Sequence, residues 1–485
     1  MPLILGAQSA VATGYSIDNS CLFIPASNDD LGRVLGTPTN RDKWTFSAWV
    51  KKSAPTGDES IMQMGPSTDF THILLSPLLE FTNKISSSFV GRLTSNASYR
   101  DPSAWYHVLC VWDSDNGTPG DRMKAYINGA ELTSFLTDTN PTSGELSGLA
   151  SGNTMTIGAA SSVEFDGYMA DVALCDGQAY TPSDFGEFDS DSPTVWKPID
   201  ISGLTFGDEG FHLDFKDSAD LGADVSGNGN DFTATNIDAA NQATDTPTNS
   251  FSTWNPLFVP TSNLPTFADG NTTTVKTGTG GGWRTMESTL GVSSGKWYWE
   301  CIGGNSSGHI YTGVCSLEWL QTGDPASTGP SGEMGFLIAQ PSYGIYGLNG
   351  NLAWSDTSGY GNLESGYTPG GDNTDYWSIY IDLDNHKIYW SINGAIQNSG
   401  TGWDLQTGFT YIPAISLYNS EAAGGMANFG KGTFGTTLLT GTTYADNDGY
   451  GIFKYSPNYG GATTFDGAAK NFMALCTKNL GAYGG

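Results

Sequence analysis

The sequence predicts an all-β fold of two antiparallel, jelly-roll-like β-sandwiches, and three observations carry the prediction. Charged residues are scarce at 14%, while aromatic residues reach 12% and glycine numbers 64 in a chain of 485 residues. That composition fits short strands joined by tight turns. Several runs alternate between apolar and polar residues with a period of two, as half-buried strands do. The phrase "INGA" occurs twice, at positions 127–130 and 392–395, each time between extended runs. A chain this long exceeds one ordinary core, so two or three domains are expected.

Taken in order, the first region spans residues 1–197. "WTFSAWVKK" places Trp44, Phe46, Ala48 and Val50 on one face and Thr45, Ser47, Trp49 and Lys51 on the other. "WYHVLCVWD", the polar turn "SDNGTPGD" and "MKAYINGAEL" then form a meander. Its last reversal is Asn128-Gly129, a strong hairpin signal because a type I′ turn needs positive φ at two successive residues. "TMTIGAA" and "VEFDGYMADVAL" read as closing strands, and "YTPSDFGEF" fits one short helical turn. Residues 198–255 read as an acidic connector with one or two strands, ending in the Thr/Asn/Pro-rich "NQATDTPTNSFSTWNP".

Residues 256–439 form the second sandwich. "KWYWECI" and "HIYTGVCSL" flank "GGNSSG" and read as a hairpin with Trp297, Trp299 and Cys301 on one face. "YWSIYIDLD" turns at Asp384-Asn385 into "HKIYWSI", which turns at Asn393-Gly394 into "AIQN". Ile388, Trp390 and Ile392 share a face, as do Ile379, Ile381 and Leu383. The repeated "INGA" is thus shared turn chemistry in two equivalent meanders. A C-terminal tail covers residues 440–485. There Ala469, Phe472, Met473 and Cys476 suit a helix from Asp466 to Gly481, and an extended "FMALCT" competes with it.

The balance of 20 Lys+Arg against 50 Asp+Glu leaves a formal charge of −30. Such a surface repels phosphate backbones and anionic lipid, which argues against nucleic acid and membrane as partners. No apolar run reaches membrane-spanning length, and "PLILGAQSAVA" lacks the basic residues of a signal peptide, the first positive side chain being Arg33. The six cysteines (Cys21, Cys110, Cys175, Cys301, Cys315 and Cys476) show neither zinc spacing nor paired spacing. They read as buried free thiols of a protein assembled in a reducing cytosol.

Here the residues carry a resemblance. "CLFIP", "WTFSAWVKK", "WYHV", "YINGAEL", "TIGAA", "FDGYMADVAL" and "AYTPSDFG" resemble, in order and spacing, the laminin-G-like branch of the concanavalin A-like lectin/glucanase superfamily. "SGKWYWEC", "IYTGVCS", "SYGIYGLNG", "IDLDNHKIYWSINGA", "YIPAISLY" and "ANFGKGTFG" resemble a SPRY domain. "GGDNTDYWSIYIDLD" departs from that family's usual Gly-Asp and Ile-Gly before the "IDLD" strand. The two sandwiches, the "DVSGNGND" connector and the "FMALCTKNL" ending are together similar to structural proteins of tailed bacteriophages. The resemblance implies a virion component (a fibre, spike or capsid decoration) with other virion proteins as partners. It also implies homo-oligomerisation, trimeric for a fibre, and assembly in the host cytoplasm.

Some relatives in the concanavalin superfamily cleave glycans with a Glu-x-Asp-x-Glu strand, which sets acid and nucleophile on one face. The nearest text here, "GEFDSDSP", alternates Glu187, Asp189 and Asp191 but runs into Pro193, and reads as a solvated acidic loop. The histidines His72, His107, His212, His309 and His386 share no metal-type spacing and sit in no nucleophile elbow. The expectation is therefore a protein without catalytic residues or an organic cofactor. Two candidate sites remain. Asp217, Asp220, Asp224, Asn228, Asn230 and Asp231 gather hard oxygen donors that suit Ca²⁺, with a tight turn hydrogen-bonding its own backbone as the alternative. Trp319, Trp354, Tyr360 and Tyr367 lie among Gly, Ser, Asn and Asp, a composition that suits sugar rings or protein contacts. Packing against the core or a neighbouring subunit is the alternative. A host-surface receptor or glycan is the expected ligand, in a free carbohydrate-binding adhesin if not a virion. A glycan hydrolase with an unrecognised carboxylate pair is the other reading.

Overall fold

The computed structural model describes residues 4–5, 14–160, 163–257, 265–276, 283–303, 310–318, 341–347, 350–363, 375–418, 424–459 and 464–484. It is almost all β, with jelly-roll sandwiches and a short helix, Thr477–Tyr483. The chain divides into two units, residues 12–248 and residues 249–485 together with 1–11.

In the first unit, one sheet runs in the order Ala130–Glu131, Met123–Ile127, Tyr106–Asp113, Lys43–Lys52, Gly167–Asp176, Ser20–Phe23 and Gln242–Ala243. Phe211–Leu213 also pairs with Gly167–Asp176. The facing sheet runs Phe135–Thr139, Ser88–Ser98, Leu78–Ile85, Phe70–Leu75, Ser60–Met64, Thr154–Ile157, Asp30–Val34 and Thr233–Thr235. The pairings within both sheets are antiparallel. Trp44, Phe46, Ala48 and Val50 all enter the core between the sheets, as their alternation predicts.

The other face of that strand is buried too: Thr45 donates to the Gln178 carbonyl, Ser47 meets His107, Trp49 packs with Ile17 and Trp196, and Lys51 is met by Asp245 of the segment read as a connector. Strands Phe211–Leu213, Thr233–Thr235 and Gln242–Ala243 add to the two sheets. Asp245 meets the Lys51 ammonium at 2.7 Å, and the pair is closed off from solvent. The Trp105 indole N–H donates to the other oxygen of the same carboxylate, at 3.0 Å. Residues 198–248 are therefore part of the first sandwich, and the boundary between units falls at 248/249 rather than near 197 and 255. A lysine at the end of a Trp-rich strand needs a carboxylate partner, and the chain supplies it from almost two hundred residues away.

In the second unit the larger sheet runs Pro265–Ala268, Thr273–Lys276, Gly425–Asn428, Lys296–Ile302, Tyr376–Asp382, Lys387–Ile392 and Ala395–Ile396. The other runs Trp283–Glu287, Tyr411–Tyr418, Ile310–Ser316, Ser342–Tyr346, Leu352–Ser355 and Tyr360–Leu363. The sequence reading of "KWYWECI" and "HIYTGVCSL" as one hairpin is overturned, since the two strands lie in different sheets. The physical reason is that both put large apolar residues toward one core. Trp297, Trp299 and Cys301 face Ile310 and Val314 across it.

The tail also departs from the helical expectation. Met473–Ala474 is extended and pairs in parallel with Trp297 and Tyr298, and the helix begins only at Thr477. The tail covers the outer face of the larger sheet, where Phe453, Phe465, Phe472 and Cys476 pack on Tyr298, Tyr380 and Tyr389. Glu300 fastens it. Its carboxyl group, fully buried, accepts the main-chain N–H of Lys454 at 2.9 Å and of Tyr455 at 2.7 Å. It also accepts the Tyr298 hydroxyl at 2.8 Å and the Asn428 amide at 3.2 Å. Residues 440–485 thus complete a core rather than trail from one. All six cysteines are buried free thiols. Among the described residues no helix is long and apolar enough to cross a membrane.

Candidate functional sites

Both "INGA" copies are hairpin turns of one design. φ is +50° at Asn128 and +76° at Gly129, and +50° at Asn393 and +79° at Gly394. Each asparagine side chain accepts a main-chain N–H from the strand beyond its own hairpin: Asn128 from His107 at 2.7 Å, Asn393 from Tyr376 at 2.9 Å. Each glycine then receives an aromatic ring. A Cβ on Gly129 would lie 2.4 Å from the Trp196 ring, and one on Gly394 would lie 2.7 Å from Tyr455. Close approach, as well as positive φ, thus fixes glycine at both places.

Trp196 marks the first site. Gly186 also abuts its indole, where a Cβ would stand 2.5 Å away. The indole N–H donates to Nδ1 of His107 at 3.1 Å, and the two rings stack at 6.0 Å between centroids. Burial pushes the His107 pKa down to about 3, so the ring is neutral. Because an indole N–H can only donate, His107 carries its proton on Nε2 and gives it to the Ser47 hydroxyl at 2.8 Å. Trp196 is therefore held in one orientation. With Tyr126, Phe188 and Ile199 it lines a groove of about 710 Å³ between the "INGA" hairpin and the hairpin Gly186–Phe188/Trp196–Pro198. Phe188 meets the indole edge-on at 4.9 Å and is half exposed.

The polar rim of this groove is charge-balanced. Glu131 pairs with Lys124 at 3.3 Å, and Glu187 pairs with Lys197 at 3.2 Å. Tyr126 also lines a second depression of about 260 Å³, together with Val111, Asn116 and Tyr180 among others. Asp189 of the acidic loop accepts the N–H groups of Asp191 and Ser192, so it shapes a turn. Sequence reasoning missed this site. Trp196 lies in a short strand without periodicity, far along the chain from the turn it covers.

The second site holds one of the aromatic residues singled out from sequence. Trp354 lines a cleft of about 260 Å³ with Tyr343, Asp356, Trp403 and Asp404. Trp403 stands edge-on to the core ring Trp390 at 5.1 Å. The Tyr343 hydroxyl accepts the Gln406 N–H at 3.0 Å. Burial, reinforced by Asp356 and Asp404 nearby, raises its pKa. Asp356 holds a turn through Oδ1, which accepts from the N–H groups of Ser358 and Gly359. Asp404 meets Lys387 at 2.8 Å. Tyr360 is half exposed on the adjoining edge strand and does not line the cleft. Trp319 and Tyr367 lie outside the described residues.

The cluster expected to suit Ca²⁺ is arranged as a turn network. Asp224 accepts N–H groups of His212, Ser226 and Asn230, Asp217 that of Ala219, Asp220 that of Gly222, and Asp231 that of Asp224. Asn228 and Asn230 donate their amides to the Gly210 carbonyl. Among the described residues no group of three or more His, Cys, Asp or Glu side chains is placed to hold a metal ion.

Residues 28–184, within the first sandwich, match the laminin-G family model described as the concanavalin A-like lectin/glucanases superfamily. No curated protein sequence matches the chain. Among solved structures, the SAP-like pentraxin of Limulus polyphemus is 20% identical, over 34% of this chain and 79% of that one, at a TM-score of 0.27. The SPRY domain of human HERC1 is 15% identical over 36% of this chain and 96% of that one, also at 0.27. Domains LG4-5 of the mouse laminin alpha1 chain are 10% identical over 93% and 98%, at 0.28.

Proposed function

We propose that the protein is a non-catalytic structural and adhesion component of a phage virion surface, and that it recognises a neutral host glycan through the Trp196 groove. The virion assignment rests on the resemblance of the two sandwiches, the "DVSGNGND" connector and the "FMALCTKNL" ending to structural proteins of tailed phages, with other virion proteins and further copies of the chain as its partners. The observation that carries glycan recognition is the pinned Trp196 indole beside a half-exposed Phe188. Sugar rings stack their C–H faces on such platforms and hydrogen-bond to flanking carboxylates. A volume of about 710 Å³ falls within the usual range of ligand sites, about 300–1,000 Å³.

Binding without hydrolysis is favoured by the carboxylate geometry. The groove is lined by two carboxylates, Glu131 and Glu187, and each is engaged by its own lysine, Lys124 at 3.3 Å and Lys197 at 3.2 Å.

The test is binding of the full chain to host surface polysaccharide, with Trp196→Ala and Phe188→Ala as variants and an assay for new reducing ends alongside. Binding that weakens at least tenfold in both variants, with no new reducing ends, is the expected result. Unchanged binding in both removes the groove, and new reducing ends make the protein a hydrolase. Antibody labelling of intact particles tests the virion assignment separately, and unlabelled particles reject it.

A further inference from the structure

The cleft around Trp354 differs from the groove in its chemistry, and we infer that it binds a compact organic cation, a quaternary or methylated ammonium group. Three aromatic side chains, Tyr343, Trp354 and Trp403, line it together with the carboxylates Asp356 and Asp404. No Lys or Arg is among its described lining residues. Lys387 is the cation next to it, and its ammonium is engaged by Asp404 at 2.8 Å and by the Gly402 carbonyl at 3.4 Å. Among the described residues Asp356 is bonded through Oδ1, which holds its turn, and its second oxygen is left to a ligand. In the groove both rim carboxylates have their own lysine, whereas in the cleft only Asp404 does and Asp356 has none among the described residues.

Aromatic faces attract a cation through their negative quadrupole, and ammonium ligands with several methyl groups suit such walls because they shed water easily. A carboxylate at the mouth adds direct attraction that a neutral ligand does not feel. The volume of about 260 Å³ suits one headgroup rather than a chain of sugar rings. The formal charge of −30 draws cations toward the whole surface and raises their local concentration. This inference stands apart from the glycan reading, since it concerns another unit and other residues.

The experiment is a titration of the full chain with tetramethylammonium and choline, read by tryptophan fluorescence and by calorimetry. The control is 3,3-dimethylbutan-1-ol, a neutral molecule of the same shape as choline. Both cations are expected to bind at millimolar concentration or below, and the neutral control at least tenfold more weakly. Trp354→Ala and Trp403→Phe are expected to weaken cation binding, the first by roughly tenfold and the second by less. Asp356→Asn keeps the turn acceptor and removes the charge, so it weakens the cations and leaves the neutral control unchanged. Equal binding of the cations and the control overturns the inference, because the cleft is then merely apolar. So does an absence of cation binding to the unsubstituted chain up to roughly ten millimolar. The comparison of cation with control needs no variant, so a misfolded substitution does not obscure the outcome.

Discussion

Replacing Gly129 by alanine strains the fold in two ways whose sizes follow from the geometry. At φ = +76° an L-residue sits in the left-handed region, at a cost of about 1–2 kcal/mol. The new methyl would stand 2.4 Å from the Trp196 ring. Carbon atoms in contact prefer about 3.5–4.0 Å, so the ring must move by more than about 1 Å. It cannot do so while Nε1 is bonded to His107 and Gly186 lies against the indole, and overpacking of this kind costs about 1–3 kcal/mol. The sum, about 2–5 kcal/mol, is a large part of the 5–15 kcal/mol that usually holds a domain together. Gly394→Ala carries the same φ term, but the ring it meets, Tyr455 at 2.7 Å, has no hydrogen bond at its hydroxyl among the described residues, whereas the Trp196 indole is held by His107. Its cost is therefore about 1–3 kcal/mol. Urea unfolding followed by tryptophan fluorescence measures both. A double-mutant cycle with Trp196→Ala isolates the ring term, which should reappear as a coupling of about 1–3 kcal/mol. Strict additivity in that cycle, or equal losses at the two glycines, refutes the clamp.

Two further predictions concern buried charge. Asp245→Ala removes the carboxylate that meets the buried Lys51 ammonium and should cost the first unit about 3–5 kcal/mol; a loss below about 1 kcal/mol in urea unfolding would show that this pair is dispensable to that core. Burial pushes Glu300 up to about 7 from an ordinary 4.5, so the fold prefers the protonated carboxyl. Its contribution is then fully present below about pH 4.5 and is lost as pH rises through 7, by roughly 3 kcal/mol. Glu287, also buried and raised, acts with the same sign. Thermal melts from pH 5 to pH 8 should show the second unit losing stability as pH rises. Glu287→Gln should reduce that slope, and a wild-type profile that instead rises with pH contradicts the assignment.

Much of the strand inventory was legible because burial imposes a period of two. Trp44, Phe46, Ala48 and Val50 all enter one core, as do Ile379, Ile381 and Leu383 of the second meander. The turns were legible because Asn-Gly suits positive φ better than other pairs. The partners of strands were less so. "KWYWECI" and "HIYTGVCSL" carry the same alternation whether they pair with each other or face each other across a core, and periodicity does not separate the two. Of the two sites, Trp354 was marked by aromatic residues in polar surroundings. Trp196 was not, because what defines it is contact with Gly129, Gly186 and His107, and none of those is a sequence neighbour.

The segments read as connector and tail explain where the sites lie. In each unit the central strands bury both faces, one in the sandwich core and one beneath a segment that arrives late in the chain. Tyr180, Phe185, Ile201 and Phe206 do this over Leu109, Ala173 and Cys175 in the first unit, and residues of the 440–485 segment do it in the second. A face so covered is closed to ligands, which moves recognition to the rims, where hairpins from distant parts of the chain come side by side. The Trp196 groove forms between the hairpins at Gly129 and Gly186, and the Trp354 cleft between the strands Leu352–Ser355 and Trp403–Asp404. Rim sites on hairpins can change their residues without disturbing the core. It follows that Phe188→Ala should alter binding at little cost to folding, whereas Asp245→Ala should cost folding.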